Sequence, residues 1–487
     1  MKSADIDLSG FFPAHRARLR ALMNERAWAN LFRSPRLIEE VQANALKPPP
    51  VRIPSITVVD QLVRFNEQKV RKRIRSGVRD RAVLLDDLSE WPEEWDEGPE
   101  VSFVGMTLLS GCNFDCRYCN KERTPTRTDL DRWKAVIVEA IGKGGERGPY
   151  MHFTGGEPLL LGEELYGDGG LIPFATERGA AVNVNTNGVL ITPEVALKLI
   201  RAGTSRLHIS LDTPHRDAQN ALIPGDHFDE ILRGIYTVQI AREVVGVDYP
   251  QIHINAVLTH RNLFHLTDAL RYLLEQRRVK RTQKDGLSFP DMGYRDLLLH
   301  VVPVGGKENV DLRPKAEEFR AFYTDVWEEA NRFWIAYQRE WAIPESQWVE
   351  LKNYGFYTPY FRVDHRGTLD EYVQWAAQGI YSRTALLDRC YVAPTQAFFL
   401  PDGSQYWCGA HTMSRPPAIG NINESGMCAN IRRHLYEMDL YPNTYCWNCP
   451  GATLYINHGV DKKLRELIDT WIEEQDAGEQ GSRGAEV

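Results

Sequence analysis

From about residue 102 to about residue 305, short apolar runs alternate with longer segments whose apolar residues recur every three or four positions. The runs FVGMTLLS (103–110), YMHFTG (150–155), AAVNVNTN (180–187), RLHISLD (206–212), IHINAVLT (252–259) and LLLHVVPV (297–304) have the length and composition of strands. Between them, DLDRWKAVIVEAIGK, PEVALKLIRAG, DEILRGIYTVQIAREV and LTDALRYLLEQ carry the spacing of amphipathic helices. Six strands, each followed by a helix, predict a parallel α/β array. Right-handed crossovers then set every strand's C-terminal end on one rim, where such folds hold ligands.

The flanks read differently. Residues 1–100 are predicted mostly helical, interrupted by KPPPVRIP (47–54), where consecutive prolines forbid a continuous helix. A basic run follows, with Lys69, Arg71, Lys72, Arg73 and Arg75, and then the acidic stretch WPEEWDEGPE (91–100). The basic run reads either as a phosphate-binding patch or as the solvated face of a helix paired with acids. Residues 279–296 look like a loop inserted before the sixth strand. Residues 315–375 read as helical and crowded with aromatics, including Trp327, Phe333, Trp334 and Tyr337, which either line a pocket or pack helices together. A cysteine-bearing segment runs from Cys390 to Cys449, followed by the helix DKKLRELIDTWIEEQ and a polar tail expected to be disordered. The expected units are therefore 1–100, a core at 101–310, a helical aromatic-rich connection at 311–385, the cysteine segment at 386–455, and a terminal helix and tail at 456–487.

Composition narrows the chemistry. At 487 residues and 55.7 kDa the chain exceeds one ordinary domain, and its net charge of −8 argues for solubility and against a nucleic-acid partner. The N-terminus lacks a signal-peptide pattern, and no run of about 18 apolar residues marks a membrane span. The expectation is a cytoplasmic protein with no membrane partner. In a reducing compartment eight cysteines read first as metal ligands or reactive thiols.

Three of them lie in CNFDCRYC: Cys112, Cys116 and Cys119. They follow the first strand on a turn supplied by Gly111 and Asn113, which puts them at the rim. Structural zinc takes four closed ligands, whereas three thiols at this spacing leave one metal coordination site open. The stretch resembles the CxxxCxΦC signature of radical S-adenosylmethionine (radical SAM) enzymes. The later strand ends extend the likeness, in the family's order: TGGEP (154–158), NTNG (185–188) and SLD (210–212). The resemblance covers about residues 102–305 and implies a partial (β/α)6 TIM-type barrel as the fold of the 101–310 core. It implies that Cys112, Cys116 and Cys119 hold a [4Fe-4S] cluster with an open site for SAM. It places Tyr118 beside the adenine and Glu157 on the methionyl amino group, with Gly155 and Gly156 letting the backbone approach the ligand. Asn185 and Asn187 would reach ribose hydroxyls or the carboxylate, and Ser210 and Asp212 stand at the rim. The sixth-strand PVGG (303–306) and the fifth-strand HINAVLTHRN match the family only loosely.

Cys390, Cys408, Cys446 and Cys449 form a second set. PDG between the arms FFL and YW predicts a β-hairpin that brings the first two thiols to one side, and CWNC supplies two more. Composition leaves zinc and an iron–sulfur cluster equally open. The spacing CX12GX4C followed by CxxC resembles the C-terminal extension of SPASM and Twitch radical SAM proteins. That resemblance implies a small auxiliary-cluster domain with one auxiliary [4Fe-4S] cluster, structural zinc remaining the alternative. Cys428 belongs to neither set and reads as a hydrogen-atom donor, an unusual ligand or buried packing. His411 reads as a proton acceptor or a hydrogen-bonded core residue.

The resemblance implies an enzyme that reductively cleaves SAM to a 5'-deoxyadenosyl radical and abstracts hydrogen from a substrate carbon. It would take electrons from a flavodoxin- or ferredoxin-type donor. The expected outcome is oxidation, dehydrogenation or crosslinking of a peptide or small-molecule natural-product intermediate. Epimerisation and nucleotide or RNA modification are alternatives, and a non-catalytic zinc-binding protein is the rival from another class.

Overall fold

The computed structural model describes residues 3–50, 54–91, 100–119, 126–142, 148–276, 297–304, 307–340, 345–347, 356–357, 368–379, 390–391, 393–414, 416–434 and 451–484. Five helices open the chain: α1 (Pro13–Met23), α2 (Arg26–Arg33), α3 (Arg36–Asn44), α4 (Pro54–Arg75) and α5 (Arg81–Leu88). The alternating core then runs β1 (Phe103–Thr107), α6 (Leu130–Gly142), β2 (Tyr150–Thr154), α7 (Glu163–Tyr166), α8 (Leu171–Thr176), β3 (Ala181–Thr186), α9 (Pro193–Arg201) and β4 (Arg206–Ser210). It continues through α10 (Arg216–Leu222), α11 (Phe228–Val245), β5 (Gln251–Leu258), α12 (Leu266–Leu274) and β6 (Leu298–Pro303). Next come α13 (Ala316–Ala321), α14 (Trp327–Glu340), β7 (Phe356–Tyr357) and α15 (Leu369–Ala377). The C-terminal part holds β8 (Gln396–Phe399), β9 (Ser404–Tyr406), α16 (Gly409–Ser414), β10 (Gly420–Asn421), α17 (Met427–Arg433) and α18 (Gly451–Gly484).

All ten strands form one sheet in the order β10-β9-β8-β1-β2-β3-β4-β5-β6-β7, with β1 to β7 parallel in sequence and β8 parallel to β1. Because strand side chains alternate between faces, each core strand reads in two registers. Met151 and Phe153, Val182 and Val184, Leu207 and Ile209, Ile252 and Ile254 are each 1% exposed or less and make the core under the helices. Many of the intervening residues, which face the concave side, are polar: His152, Asn183, Asn185, His208, His253, Asn255 and His300. Strands two apart in a flat sheet lie about 9.5 Å from each other. Yet the rings of His152 on β2 and His208 on β4 are centred 5.9 Å apart, and those of His208 and His300 on β6 are 6.2 Å apart. The sheet therefore curls into a partial barrel whose lumen carries these side chains.

The predicted hairpin is present and extends the barrel sheet. Phe398 pairs with Tyr406 and Phe399 with Gln405 across a turn in which Gly403 adopts φ +84°, a conformation that favours glycine. β8 continues along β1, with Phe398 laid over Gly105 where a Cβ would collide with its ring. The segment is also clamped from behind, since the Glu139 carboxylate on α6 accepts from the backbone N–H groups of Met427 and Cys428, both at 2.8 Å.

Several boundaries differ from the sequence reading. Residues 1–100 divide between two cores: α1 to α3 join the main core through residues such as Leu19, Trp28 and Ile38. By contrast α4 and α5 pack against α18 around Val58, Leu62, Leu84, Val460, Leu464 and Ile468. The reason is that α4, α5 and α18 each carry an apolar stripe, and all three close on one another. Helix α18 runs on to Gly484 through residues expected to be a disordered tail; Arg79 pairs with Asp476 on that extension, and Arg71 with Glu474 just before it. The connection expected to be helical contributes β7, which adds a parallel strand beside β6. Its aromatics pack: Trp334 and Tyr337 are buried and stacked 5.7 Å apart. The basic run of α4 is matched by acids, Lys69 and Arg73 both meeting Asp87, Lys69 also meeting Glu90, and Arg71 meeting Glu67. The inserted loop at 279–296 lies outside the described residues. Among the described residues no helix is long and apolar enough to cross a membrane.

Candidate active site

The loop carrying Cys112, Cys116 and Cys119 leaves the C-terminal end of β1 and is stitched to the ends of its neighbours by hydrogen bonds. After β2, the Gly156 N–H donates to the Leu109 carbonyl at 2.8 Å and the Glu157 N–H to the Gly111 carbonyl at 2.9 Å. This contact explains both glycines. A Cβ on Gly155 would meet the Leu109 carbonyl at 2.7 Å, and one on Gly156 would overlap the Gly111 carbonyl. The close approach that these glycines permit within the chain is to the backbone leading into Cys112.

Glu157 is fully buried. Its Oε1 accepts from the Leu159 N–H at 3.0 Å and the Thr186 hydroxyl at 2.8 Å, and its Oε2 accepts from the Asn187 N–H at 2.8 Å. The carboxylate therefore locks the β2 loop to the β3 loop. Asn187 then reaches back, its Nδ2–H donating to Asn113 Oδ1 at 2.7 Å. Asn185 lies one register step lower and faces the lumen, 3.0 Å from His152 Nε2.

From the β4 side, Asp212 is 1% exposed and accepts from the Val257 N–H at 2.7 Å and the Tyr118 hydroxyl at 2.8 Å. Burial pushes its carboxyl up to about 6, against the lowering effect of those two donors. Burial, followed by the neighbouring Asp212 and Cys116, drives the Tyr118 hydroxyl well above its ordinary range. Tyr118, expected beside a base, is thus tied at its hydroxyl to β4. Ser210 ends β4 in register with Asn255. Two further side chains complete the weave without having been singled out from the sequence. Buried Asn262 donates to the carbonyls of Asp212 and Val257, both at 2.9 Å, and Asn309 donates to the Tyr118 carbonyl at 3.1 Å. Asn262 lies in the fifth-strand stretch that matched the family loosely; an Asn three residues beyond a strand end was its available signal.

The three thiols are close enough to oppose each other's ionisation. Burial, together with Asp212, Cys119 and Cys112, pushes the Cys116 thiol up to about 12. Cys112 and Cys116 are half-buried and Cys119 is exposed. Among the described residues no three His, Cys, Asp or Glu side chains converge on a single metal ion. A cluster spreads its thiolates over the corners of a cube, so an all-sulfur donor set on one rigid loop fits a [4Fe-4S] group better than one ion. Adding iron lifts the mutual repulsion that now disfavours the thiolates.

Of the second set, Cys390 is half-buried and accepts a contact from Asn457 Nδ2 at 3.7 Å, and Cys408 is buried just after β9. Cys446 and Cys449 lie outside the described residues. Cys428 is 2% exposed in the core with Met427 and Ile431, on a helix that packs against α6 on the outer layer. His411 is buried, and burial lowers its imidazole pKa.

The lumen histidines were not anticipated. Their signal was present in the strands, where His and Asn occupy alternate positions of YMHFTG, VNVNTN, RLHIS, IHIN and LLLHV. Burial lowers the His300 imidazole to about 4, and burial with His253, His152 and His300 lowers His208 well below its ordinary value.

The comparisons with known proteins fall on these elements. Residues 106–248 match the family model described as the radical SAM superfamily. An AdoMet-dependent heme synthase of Nitratidesulfovibrio vulgaris is 30% identical over 182 residues, covering 36% of this chain and 46% of that protein. A GTP 3',8-cyclase of Chlorobaculum tepidum is 33% identical over 143 residues, covering 28% of this chain and 41% of that protein. The match thus spans less than half the length of these relatives. Among solved structures, SuiB of Streptococcus suis bound to its precursor peptide SuiA aligns at TM-score 0.45 and 15% identity, over 74% of this chain and 73% of that one. The protein anSMEcpe with bound AdoMet aligns at TM-score 0.45 and 16% identity, over 78% and 98%. The cysteine loop and three more motif-bearing strand ends lie inside the matched span, and residues 106–248 are a radical SAM superfamily domain.

Proposed function

We propose that this chain is a radical SAM enzyme in which Cys112, Cys116 and Cys119 ligate three irons of a [4Fe-4S] cluster and leave the fourth to SAM. The observation that carries the reading is the stitching of the cysteine loop to the β2, β3 and β4 ends by Glu157, Asn187 and Asp212. A structural metal loop has no need of this polar frame. When bound, the cluster and SAM supply reductive cleavage of SAM by one electron from a flavodoxin- or ferredoxin-type donor, and hydrogen-atom abstraction from an unactivated substrate carbon.

The chain's own residues position and exclude. Glu157 offers its remaining acceptor capacity to an ammonium at the mouth, and Asn187 and Ser210 present polar groups at the same level. Tyr118 and Asp212 hold the outer half of the loop against β4. The curled sheet provides a lumen below, walled from bulk water by the helical layer. Cys390, Cys408, Cys446 and Cys449 are proposed to hold an auxiliary [4Fe-4S] cluster of the SPASM or Twitch kind; Cys408 follows β9, which with β8 extends the barrel sheet. An oxidation, with that cluster taking the second electron, is the net reaction this arrangement supports. The names of the relatives, a heme synthase and a GTP cyclase, support a small-molecule substrate over a peptide.

Anaerobic purification tests the reading. A brown protein with about eight irons per chain that forms 5'-deoxyadenosine from SAM and dithionite is expected. A colourless zinc protein that leaves SAM intact would overturn it.

A further inference from the structure

We propose that the barrel lumen below the cysteine loop seats the substrate by an oxyanion, a carboxylate or phosphate group, held among His152, His208, His253 and His300. The inference rests on the radical SAM reading for the position of the chemistry and adds the chemical class that the lumen selects.

Three observations carry it. The first is space. The residues on the outer face of β2 to β5 are at most 1% exposed, whereas His152, His208, Asn255 and His300 on the lumen face are only partly covered. The second is unmet polarity. His208 Nε2 is buried with no hydrogen-bond partner among the described residues. An apolar guest would leave it unsatisfied, which proteins avoid. His208 is the hub, with His253 at 4.9 Å, His152 at 5.9 Å and His300 at 6.2 Å between ring centres. The third is charge. None of the lumen-facing positions of β1 to β6 is Asp or Glu, while Arg206 closes the N-terminal end of β4 beside Gln251 and the Tyr150 ring. A cationic guest finds no counter-charge there.

A metal ion fits less well. The His208 and His253 rings lie stacked, 26° from parallel, so their lone pairs do not converge, and no three ligating side chains among the described residues do. Burial, joined at His208 by the neighbouring rings, lowers the His208 and His300 pKa values, and a nearby oxyanion opposes that lowering by favouring proton uptake from solvent, which makes ring nitrogens charge-assisted N–H donors. Faced by His152, His253, His300 and Arg206, His208 gains most from that charge.

The test is a titration of the cluster-reconstituted full chain carrying 13C-labelled histidine, followed by NMR. Inorganic phosphate, glutarate, neutral glutaramide and Zn2+ are the probes. Saturable movement of the four lumen imidazoles with phosphate or glutarate is expected, the better of the two naming the oxyanion, with glutaramide at least about tenfold weaker. In H208Q the anion-induced shifts of the other three rings should shrink by a similar factor; the wild-type titration decides if that variant does not fold. Rings that ignore both anions, respond equally to glutaramide, or respond to Zn2+ alone overturn the proposal. Formation of 5'-deoxyadenosine by the same samples is scored separately: its absence sinks the radical reading and leaves the lumen result standing.

Discussion

The Tyr118 hydroxyl donates to Asp212 Oδ2 at 2.8 Å, joining the cysteine loop to the end of β4 across the mouth of the barrel. Asp212 is 1% exposed, so its charge depends on few donors. Removing one of them in Tyr118→Phe leaves the Val257 N–H among the described donors, at a cost of about 1.5–3 kcal/mol. A melting temperature lowered by several degrees and a weaker SAM affinity by calorimetry are expected. If both stay at the wild-type values, the bond does not hold the loop.

Glu157 accepts from the Leu159 N–H, the Thr186 hydroxyl and the Asn187 N–H, so its isostere is a sharp probe. Glu157→Gln turns an N–H2 toward groups that are themselves donors, and about 2–3 kcal/mol of stability should be lost. Denaturant unfolding measures this, and SAM binding should fall with it because the β3 loop is released. A fully stable variant that loses only SAM would instead make Glu157 a pure ligand group.

Iron content separates the two cysteine sets. Cys116→Ala is expected to lose about four irons per chain and all 5'-deoxyadenosine formation, while Cys390→Ala loses a similar number and keeps SAM cleavage. Replacement of the second set by zinc, seen as one zinc per chain in wild type by elemental analysis, would contradict the auxiliary cluster.

Buried imidazoles set an acid limit. His15 and His300 are each lowered by burial to about 4 from 6.5, so the unfolded chain binds protons that the folded chain refuses. Their contribution is complete above about pH 6.5 and drains away as pH falls toward 4, at roughly 3 kcal/mol for each group. Stability by urea unfolding should decline through that window and level off below it. A flat profile between pH 7 and 4 contradicts the burial of these rings.

Glu139 clamps the C-terminal segment to α6 through the N–H groups of Met427 and Cys428. Glu139→Ala should cost about 1–2 kcal/mol and raise hydrogen exchange in residues 427–433. Among the described residues the Glu139 carboxylate bonds to α17 and to no rim residue, so SAM binding is expected to persist. Loss of SAM binding with unchanged exchange would show that the coupling runs elsewhere.

Most of the barrel was readable along the chain, because period-2 runs separated by amphipathic stretches admit few arrangements, and the six strands lie within a residue or a few of their expected ends. The place of the cysteine loop was readable too, since three closely spaced thiols directly follow the first strand and its Gly111–Asn113 turn. The polar alternation inside the strands went unread: in isolation, His208 in RLHISLD and His300 in LLLHVVPV are single polar breaks in apolar runs.

Local spacing settled which residues stand at the rim and in what order, because a strand's end and the turn after it are adjacent in the chain. Folding alone made Gly156 a seat for the Gly111 carbonyl, turned Glu157 into a bridge between two loops, set α4 and α5 against a helix nearly four hundred residues away, and gathered four histidines from four strands into one lumen. Those relations depend on sheet curvature and on hydrogen bonds between distant segments, and no short window of the chain contains both partners.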